Sequence, residues 1–185
     1  MEPRGEGAAR PRFLYDVGDP WCWIAGEGVN TALGEVPEWV PVLARAREGV
    51  DRAAGVDRAA VERAAAEAGL SAVRWPATFP FDSRTAMLAA TFAKQSGRAV
   101  AYSLAAMRQA FAAGRDLSVT DNVLIAAAAC EIHPRALLKG IELRSVRAAL
   151  EEASAAAPAE LPALAIGGDL VCGADALALI QSRHD

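Results

Sequence analysis

The sequence predicts an α/β protein in which a βαβ unit and a ββα unit are separated by a block of helices. Three observations lead to this fold class. Two apolar runs, Arg12–Val17 and Glu38–Leu43, flank one amphipathic stretch. Residues 48–157 are rich in alanine and carry apolar side chains at helical spacing. Two short apolar runs surround Gly167 and Gly168, which is the pattern of a β-hairpin.

Local signals define the first unit. Arg12–Val17 predicts a strand, and residues 20–33 predict a helix that ends at Gly34, because glycine readily adopts the left-handed conformation of helix ends. Glu38–Leu43 predicts a second strand. It contains Pro41, which has no N–H to donate to a neighbouring strand, so this strand should lie at an edge of the sheet or be broken.

The central block should be helical throughout, apart from an extended connector at residues 71–83 that contains Pro76 and Pro80. Pro134 fits the first turn of a helix, where its missing N–H has no partner to lose. The predicted helices cover residues 48–70, 83–97, 99–114, 120–132 and 134–157.

The last unit begins with strands at residues 161–166 and 170–172, joined by a glycine turn, and ends with a helix at residues 175–183. The order βαβ, helices, ββα is that of a thioredoxin fold with an all-helical insertion between its halves. We therefore divide the chain into a disordered leader (1–11), an N-terminal half (12–47), a helical insertion (48–157) and a C-terminal half (158–185).

Composition narrows the classes of partner. A net charge of -4 and a pI near 5.3 argue against nucleic acid and anionic membranes as partners. The three cysteines have no metal-ligand spacing, so we expect no metal. The first dozen residues lack the apolar core of a signal peptide, and no apolar run is long enough to span a bilayer, so we expect a cytoplasmic protein that acts on a small molecule.

The stretch Asp19-Pro20-Trp21-Cys22 opens the first helix. Asp19 suits the N-cap, because its carboxylate can accept N–H groups of the first turn, and Pro20 suits the first helical position. The helix start therefore accounts for Asp19 and Pro20. It leaves unexplained why Cys22 is flanked by Trp21 and Trp23, although a cysteine in a first turn is more often a buried structural thiol than a nucleophile.

A strand followed by a first-turn Pro-Trp-Cys-Trp-Ile-Ala resembles the DsbA-type thioredoxin-fold superfamily. Within it, the chain is most similar to the branch of 2-hydroxychromene-2-carboxylate isomerases and kappa-class glutathione transferases. The segments Trp39–Leu43, Phe79–Ala86, Leu161–Pro162 and Gly173–Asp175 resemble that branch in order and spacing.

The resemblance implies glutathione as cofactor, bound by Leu161, Pro162, Ala174 and Asp175. The Leu161–Pro162 step matches the cis-proline of the family, and the backbone of Leu161 would pair with glutathione as a β-strand does. Asp175 matches the acid that receives the γ-glutamyl amine, although it could equally be a helix N-cap. The resemblance also implies a small aromatic acid as substrate and, by analogy, a homodimer. The predicted substrate pocket consists of Trp21, Trp75, Phe81 and Asp82.

Asp19 departs from the family pattern, which has cysteine at this position in the oxidoreductases and serine in the isomerases. An ionised aspartate cannot donate a hydrogen bond to a sulfur, and it repels a thiolate. Two unit charges ~4 Å apart cost about 4 kcal/mol at an effective dielectric constant of 20. Because Asp19 stands where the oxidoreductases have a cysteine, the second thiol that dithiol oxidase chemistry needs is missing, and we exclude that chemistry.

Three hypotheses remain open at this stage. The chain could be a glutathione-linked isomerase or transferase in which Asp19 is a general acid or base. It could be a thiol–disulfide oxidoreductase that uses Cys22 alone. It could also be a non-catalytic binding protein that has kept the fold, since a fold does not carry an activity with it. A disulfide between Cys22 and Cys172 is a further open alternative.

Overall fold

The computed structural model describes residues 9–44 and 55–183, and this part of the chain forms one four-stranded sheet and eight helices. The strands are β1 (Arg12–Tyr15), β2 (Glu38–Pro41), β3 (Ala163–Ile166) and β4 (Asp169–Cys172). The helices are α1 (Pro20–Leu33), α2 (Arg58–Glu67), α3 (Arg84–Gln95), α4 (Ala99–Phe111), α5 (Thr120–Ala128), α6 (Pro134–Glu142), α7 (Arg144–Ala156) and α8 (Gly173–Gln181).

The sheet has the strand order β2-β1-β3-β4, with β2 parallel to β1 and with β3 antiparallel to both of its neighbours. This is the predicted thioredoxin arrangement, with α2 to α7 inserted between its two halves. β2 is an edge strand, as Pro41 indicated. Gly167 and Gly168, both with positive φ, form the predicted turn between β3 and β4.

Side chains of the sheet alternate between two cores. Phe13, Tyr15 and Trp39 point to one face and pack edge to face or stacked, with ring centroids 4.9–5.5 Å apart. Leu14 and Val40 point to the other face, in a smaller cluster that includes Ala153 of α7. The Tyr15 hydroxyl and the Ser103 hydroxyl, 2.5 Å apart, hydrogen-bond the sheet to α4. The sheet is thus fixed between helices on both faces.

The single helix predicted at residues 134–157 is wrong, because two helices, α6 and α7, meet at an extended Leu143. The buried positions explain the break. Leu137 and Ile141 are one turn apart, as are Val146 and Leu150, but Ile141 and Val146 are five residues apart. In one continuous helix Val146 would point well away from the face of Ile141. Breaking the helix lets both pairs pack on the core.

Several sequence predictions lie outside the described residues. Residues 1–8 of the predicted leader fall there, and so does the predicted boundary between residues 47 and 48. The first part of the helix predicted at residues 48–70 is also outside, while α2 and the connector after it are described. Within the described ranges, no helix combines the length and the apolar character needed to cross a membrane.

Candidate binding cleft

The loop between β1 and α1 is built around the carboxylate of Asp16, which is completely buried. One carboxylate oxygen accepts the N–H of Gly18, and the other accepts the N–H of Ala44, both at 2.8 Å. At Gly18 a Cβ atom would lie 2.9 Å from Cβ of Ser83, so only glycine fits this close approach. Asp16 therefore joins the end of β1 to the chain that follows β2.

Asp19 caps α1, as predicted. Its Oδ1 accepts the N–H of Trp21 at 2.8 Å and the N–H of Cys22 at 3.3 Å, and Pro20 occupies the first turn. These two N–H groups are the donors that a helix N-terminus would otherwise offer to an anion. In this protein they are satisfied by a carboxylate of the chain itself.

A cleft of about 590 Å³ opens beside this helix start. Five parts of the chain meet around it: the β1–α1 loop with the start of α1, the segment after β2, the residues before α2, the connector before α3, and the segment from the β3 approach to α8. The lining residues are Gly18, Asp19, Pro20, Trp21, Ala44, Gly55, Val56, Phe79, Pro80, Ala159, Glu160, Leu161, Gly173, Ala174, Leu177, Ala178 and Gln181. This size fits a small ligand, and most of the wall is apolar or backbone.

The approach to β3 offers backbone groups to the cleft. The Leu161–Pro162 peptide bond is cis, and the carbonyl of Pro162 accepts the N–H of Gly173 at 2.8 Å. Within the described chain, neither the N–H nor the C=O of Leu161 makes a backbone hydrogen bond. Cys172, the N-cap residue of α8, makes no side-chain cap, and the N–H of Ala174 has no hydrogen bond within the described residues, so this N–H is available. The N–H and C=O of Leu161 thus lie near the start of α8, where the N–H of Ala174 is available.

Cys22 is completely buried and does not line the cleft. Burial raises the pKa of the Cys22 thiol well above its usual range, and the nearby Asp19 carboxylate raises it further. A hydrogen bond with the backbone of Asp16 lowers this pKa, but by less than the other two effects raise it. A buried neutral thiol is neither accessible nor ionised for disulfide exchange. All three cysteines are free, so the open alternative of a Cys22–Cys172 disulfide is not realised.

We expect Cys22 to resist alkylation in the native protein, because its thiol is buried and protonated. Peptide mapping by mass spectrometry after brief iodoacetamide treatment checks this. The half-buried Cys172 is the internal control and should be labelled first. Labelling of Cys22 as fast as that of Cys172 would contradict the structure and restore the single-cysteine oxidoreductase hypothesis.

The structure brings only some of the predicted site residues to the cleft. Asp19, Trp21, Leu161 and Ala174 line it, whereas Pro162 and Asp175 lie next to lining residues without lining it themselves. Asp175 is exposed in the first turn of α8.

Trp75, Phe81 and Asp82 lie elsewhere. Trp75 donates its indole N–H to Glu62 at 2.7 Å, and Phe81 is buried against other aromatic rings. Asp82 is exposed and accepts the N–H of Arg84 at 2.9 Å, so its carboxylate serves the start of α3.

Other residues outside the predicted substrate pocket also form the site. Phe79 and Pro80 line the cleft, and the Phe79–Pro80 peptide bond is also cis. Glu160 lines it too, one residue before Leu161. Asp16 could have been noticed, because an acid directly after a buried strand needs a hydrogen-bond partner inside the fold.

Comparison with solved structures identifies the fold. The structure of a 2-hydroxychromene-2-carboxylate isomerase superposes with a TM-score of 0.74 and 15% identity, covering 93% of this chain and 92% of that one. A probable DsbA oxidoreductase from Streptomyces coelicolor superposes with a TM-score of 0.66 and 22% identity, covering 94% of this chain and 88% of that one. The cytosolic disulfide reductase DsbM from Pseudomonas aeruginosa superposes with a TM-score of 0.62 and 18% identity, covering 94% of this chain and 97% of that one. No protein-family model and no curated protein matches the sequence. The chain has the DsbA-type thioredoxin fold.

Proposed function

We propose that this protein binds glutathione in the cleft and acts on a small aromatic acid as 2-hydroxychromene-2-carboxylate isomerases do, with Asp19 as the proton-transferring group. The observation that carries the proposal is the pairing of two features in one cleft. The N–H and C=O of Leu161 are available there for an extended peptide, and the N–H of Ala174 at the start of α8 is available for a carboxylate.

The peptide part of glutathione fits these residues. Its cysteinyl unit has one amide N–H and one C=O, which match the backbone pair of Leu161. One of its carboxylates can accept the N–H of Ala174 at the positive end of α8. Asp175, exposed in the same turn, would receive the ammonium group of the γ-glutamyl unit. We assign these three residues, with Pro162 holding the Leu161 backbone in place, to glutathione binding.

The sulfur of glutathione would meet different surroundings from those in a serine-containing relative. When bound, glutathione supplies a thiol, and a thiolate would lie against the Asp19 carboxylate, while the donors of α1 are already taken by that carboxylate. Asp19 therefore favours the protonated thiol and can accept its proton when the substrate reacts. Trp21 and Phe79 supply the apolar surface for an aromatic ring.

A glutathione titration by calorimetry tests this proposal, and we expect a dissociation constant below about 1 mM. Ala174→Glu adds a carboxylate at the start of α8, and it should weaken binding at least about tenfold through like-charge repulsion. Ala101→Glu, at an exposed position of α4, is the matched control and should bind as the wild type does. Absence of binding at about 10 mM would refute the proposal.

A non-catalytic binding protein is the second candidate, and a specific observation favours it. The one cysteine near the helix start is buried, and the position of the family's usual sulfur-activating residue is Asp19, a hydrogen-bond acceptor. If glutathione binds but no aromatic acid is converted in its presence, the binding function stands without the isomerase activity. The oxidoreductase that uses Cys22 alone has no such support, because its thiol is inaccessible.

A further inference from the structure

Arg58, the first residue of α2, lies beside the cleft on two aromatic rings. Its guanidinium carbon is 4.8 Å from the ring centroid of Trp75 and 5.7 Å from that of Phe79. Phe79 lines the cleft, and so does Val56, two residues before Arg58. The guanidinium group is therefore held against the Phe79 ring, which we assign to the wall that receives the substrate ring.

The N–H groups of this arginine have no hydrogen-bond partner and no ion pair among residues 9–44 and 55–183. Within these ranges its guanidinium contacts the two aromatic rings. Glu62, one helical turn further on, accepts the indole N–H of Trp75 instead. Because a guanidinium stacked on a ring keeps its N–H groups at the edge of its plane, Arg58 can bind a carboxylate with two parallel hydrogen bonds.

The stability of α2 does not explain why an arginine, Arg58, occupies its first position. The N-terminus of a helix carries the positive end of the helix dipole, where arginine is unfavourable and an anion is favourable. Asp57 caps α2 by accepting the N–H of Ala60 at 3.0 Å, and the first turn contains no acid. Ring packing holds Arg58 at a place where a bound anion would be stabilised twice, by the guanidinium and by the helix.

We propose that Arg58 is the specificity-determining residue that selects an aromatic carboxylate as substrate, by binding its carboxylate while the ring lies against Phe79. This inference rests on the proposed function, since it names the residue that recognises the acid group. It goes further by assigning the charge selection to an arginine outside the glutathione-binding residues.

Calorimetry with 2-naphthoate and 2-naphthamide, which differ only in charge and one polar group, tests this assignment without glutathione. Wild type should bind the acid about tenfold more tightly than the amide, and Arg58→Gln should abolish this preference. Arg58→Lys keeps the charge without the planar fork and should retain part of it. Arg63→Gln, which removes an exposed arginine of the same helix, is the matched control and should leave the preference unchanged.

The outcomes separate the two proposals. Glutathione affinity should be the same in Arg58→Gln as in the wild type, because the assigned glutathione residues are intact. An unchanged preference for the acid in Arg58→Gln overturns the role of Arg58, and so does failure of the wild type to distinguish acid from amide, even if glutathione binds. Loss of the preference in a protein that binds no glutathione supports Arg58 and refutes only the glutathione proposal. Thermal melting of each variant checks that it is folded.

Discussion

Replacing Asp19 with serine is expected to tighten glutathione binding about tenfold at pH 8 and to lower the pKa of the bound thiol by about one unit or more. The physical reason is the sign of the charge next to the sulfur. Asp19 lines the cleft, and its Oδ1 accepts the N–H groups of Trp21 and Cys22. Serine would keep an N-cap, add a donor and remove the negative charge, so a thiolate would become favourable.

Thiolate absorbance near 240 nm during a pH titration, together with calorimetry, measures both effects. Asp19→Asn separates charge from the hydroxyl group, because it retains an oxygen that can cap α1 and loses only the charge. The control Asp116→Ser removes an aspartate that accepts the N–H of Ser118 at 2.8 Å, away from the cleft. Weaker glutathione binding in Asp19→Ser, or no change in the thiol pKa, would show that the sulfur does not lie beside Asp19.

The elements that the sequence predicted well depend on local chemistry. Asp19 and Pro20 specify the start of α1, Gly34 specifies its end, and the pair Gly167–Gly168 specifies the hairpin, because each signal acts within a few residues of itself. The order of these elements was enough for the thioredoxin arrangement. The break at Leu143 was missed because no glycine or proline marks it. It is caused by packing against the core, which involves residues far away in the sequence.

The residues that line the cleft were predicted less well, because they too are set by packing between distant parts of the sequence. Phe79 and Phe81 lie two residues apart in a connector without regular structure, yet Phe79 lines the cleft while Phe81 is buried. Alternation along a strand would have placed both on one side, so no periodicity could separate them. Asp82 of the predicted pocket does not line this cleft, and its carboxylate accepts the N–H of Arg84. Only the folded connector decides which side chain reaches the cleft.

Asp16→Ala is expected to lower the free energy of unfolding by about 3 kcal/mol, because the half-buried N–H groups of Gly18 and Ala44 would lose their shared, completely buried acceptor. Urea denaturation followed by tryptophan fluorescence measures this loss. The matched control is Asp82→Ala, since Asp82 also accepts an N–H two residues further along, but on the surface. Water can replace the Asp82 carboxylate, so its loss should stay below about 1 kcal/mol.

The same substitution should also affect the cleft, because Gly18 and Ala44 both line it and the Asp16 carboxylate holds these two wall segments together. At a temperature where Asp16→Ala is still folded, we expect glutathione binding to weaken at least about tenfold, since the ligand would have to order both wall segments. Asp16→Asn retains one acceptor oxygen and should be intermediate in stability and affinity. If Asp16→Ala loses no more stability than Asp82→Ala, or binds glutathione as the wild type does, the carboxylate does not position the wall. The proposed site would then have to be organised by the β3–α8 side alone, around Leu161 and Ala174.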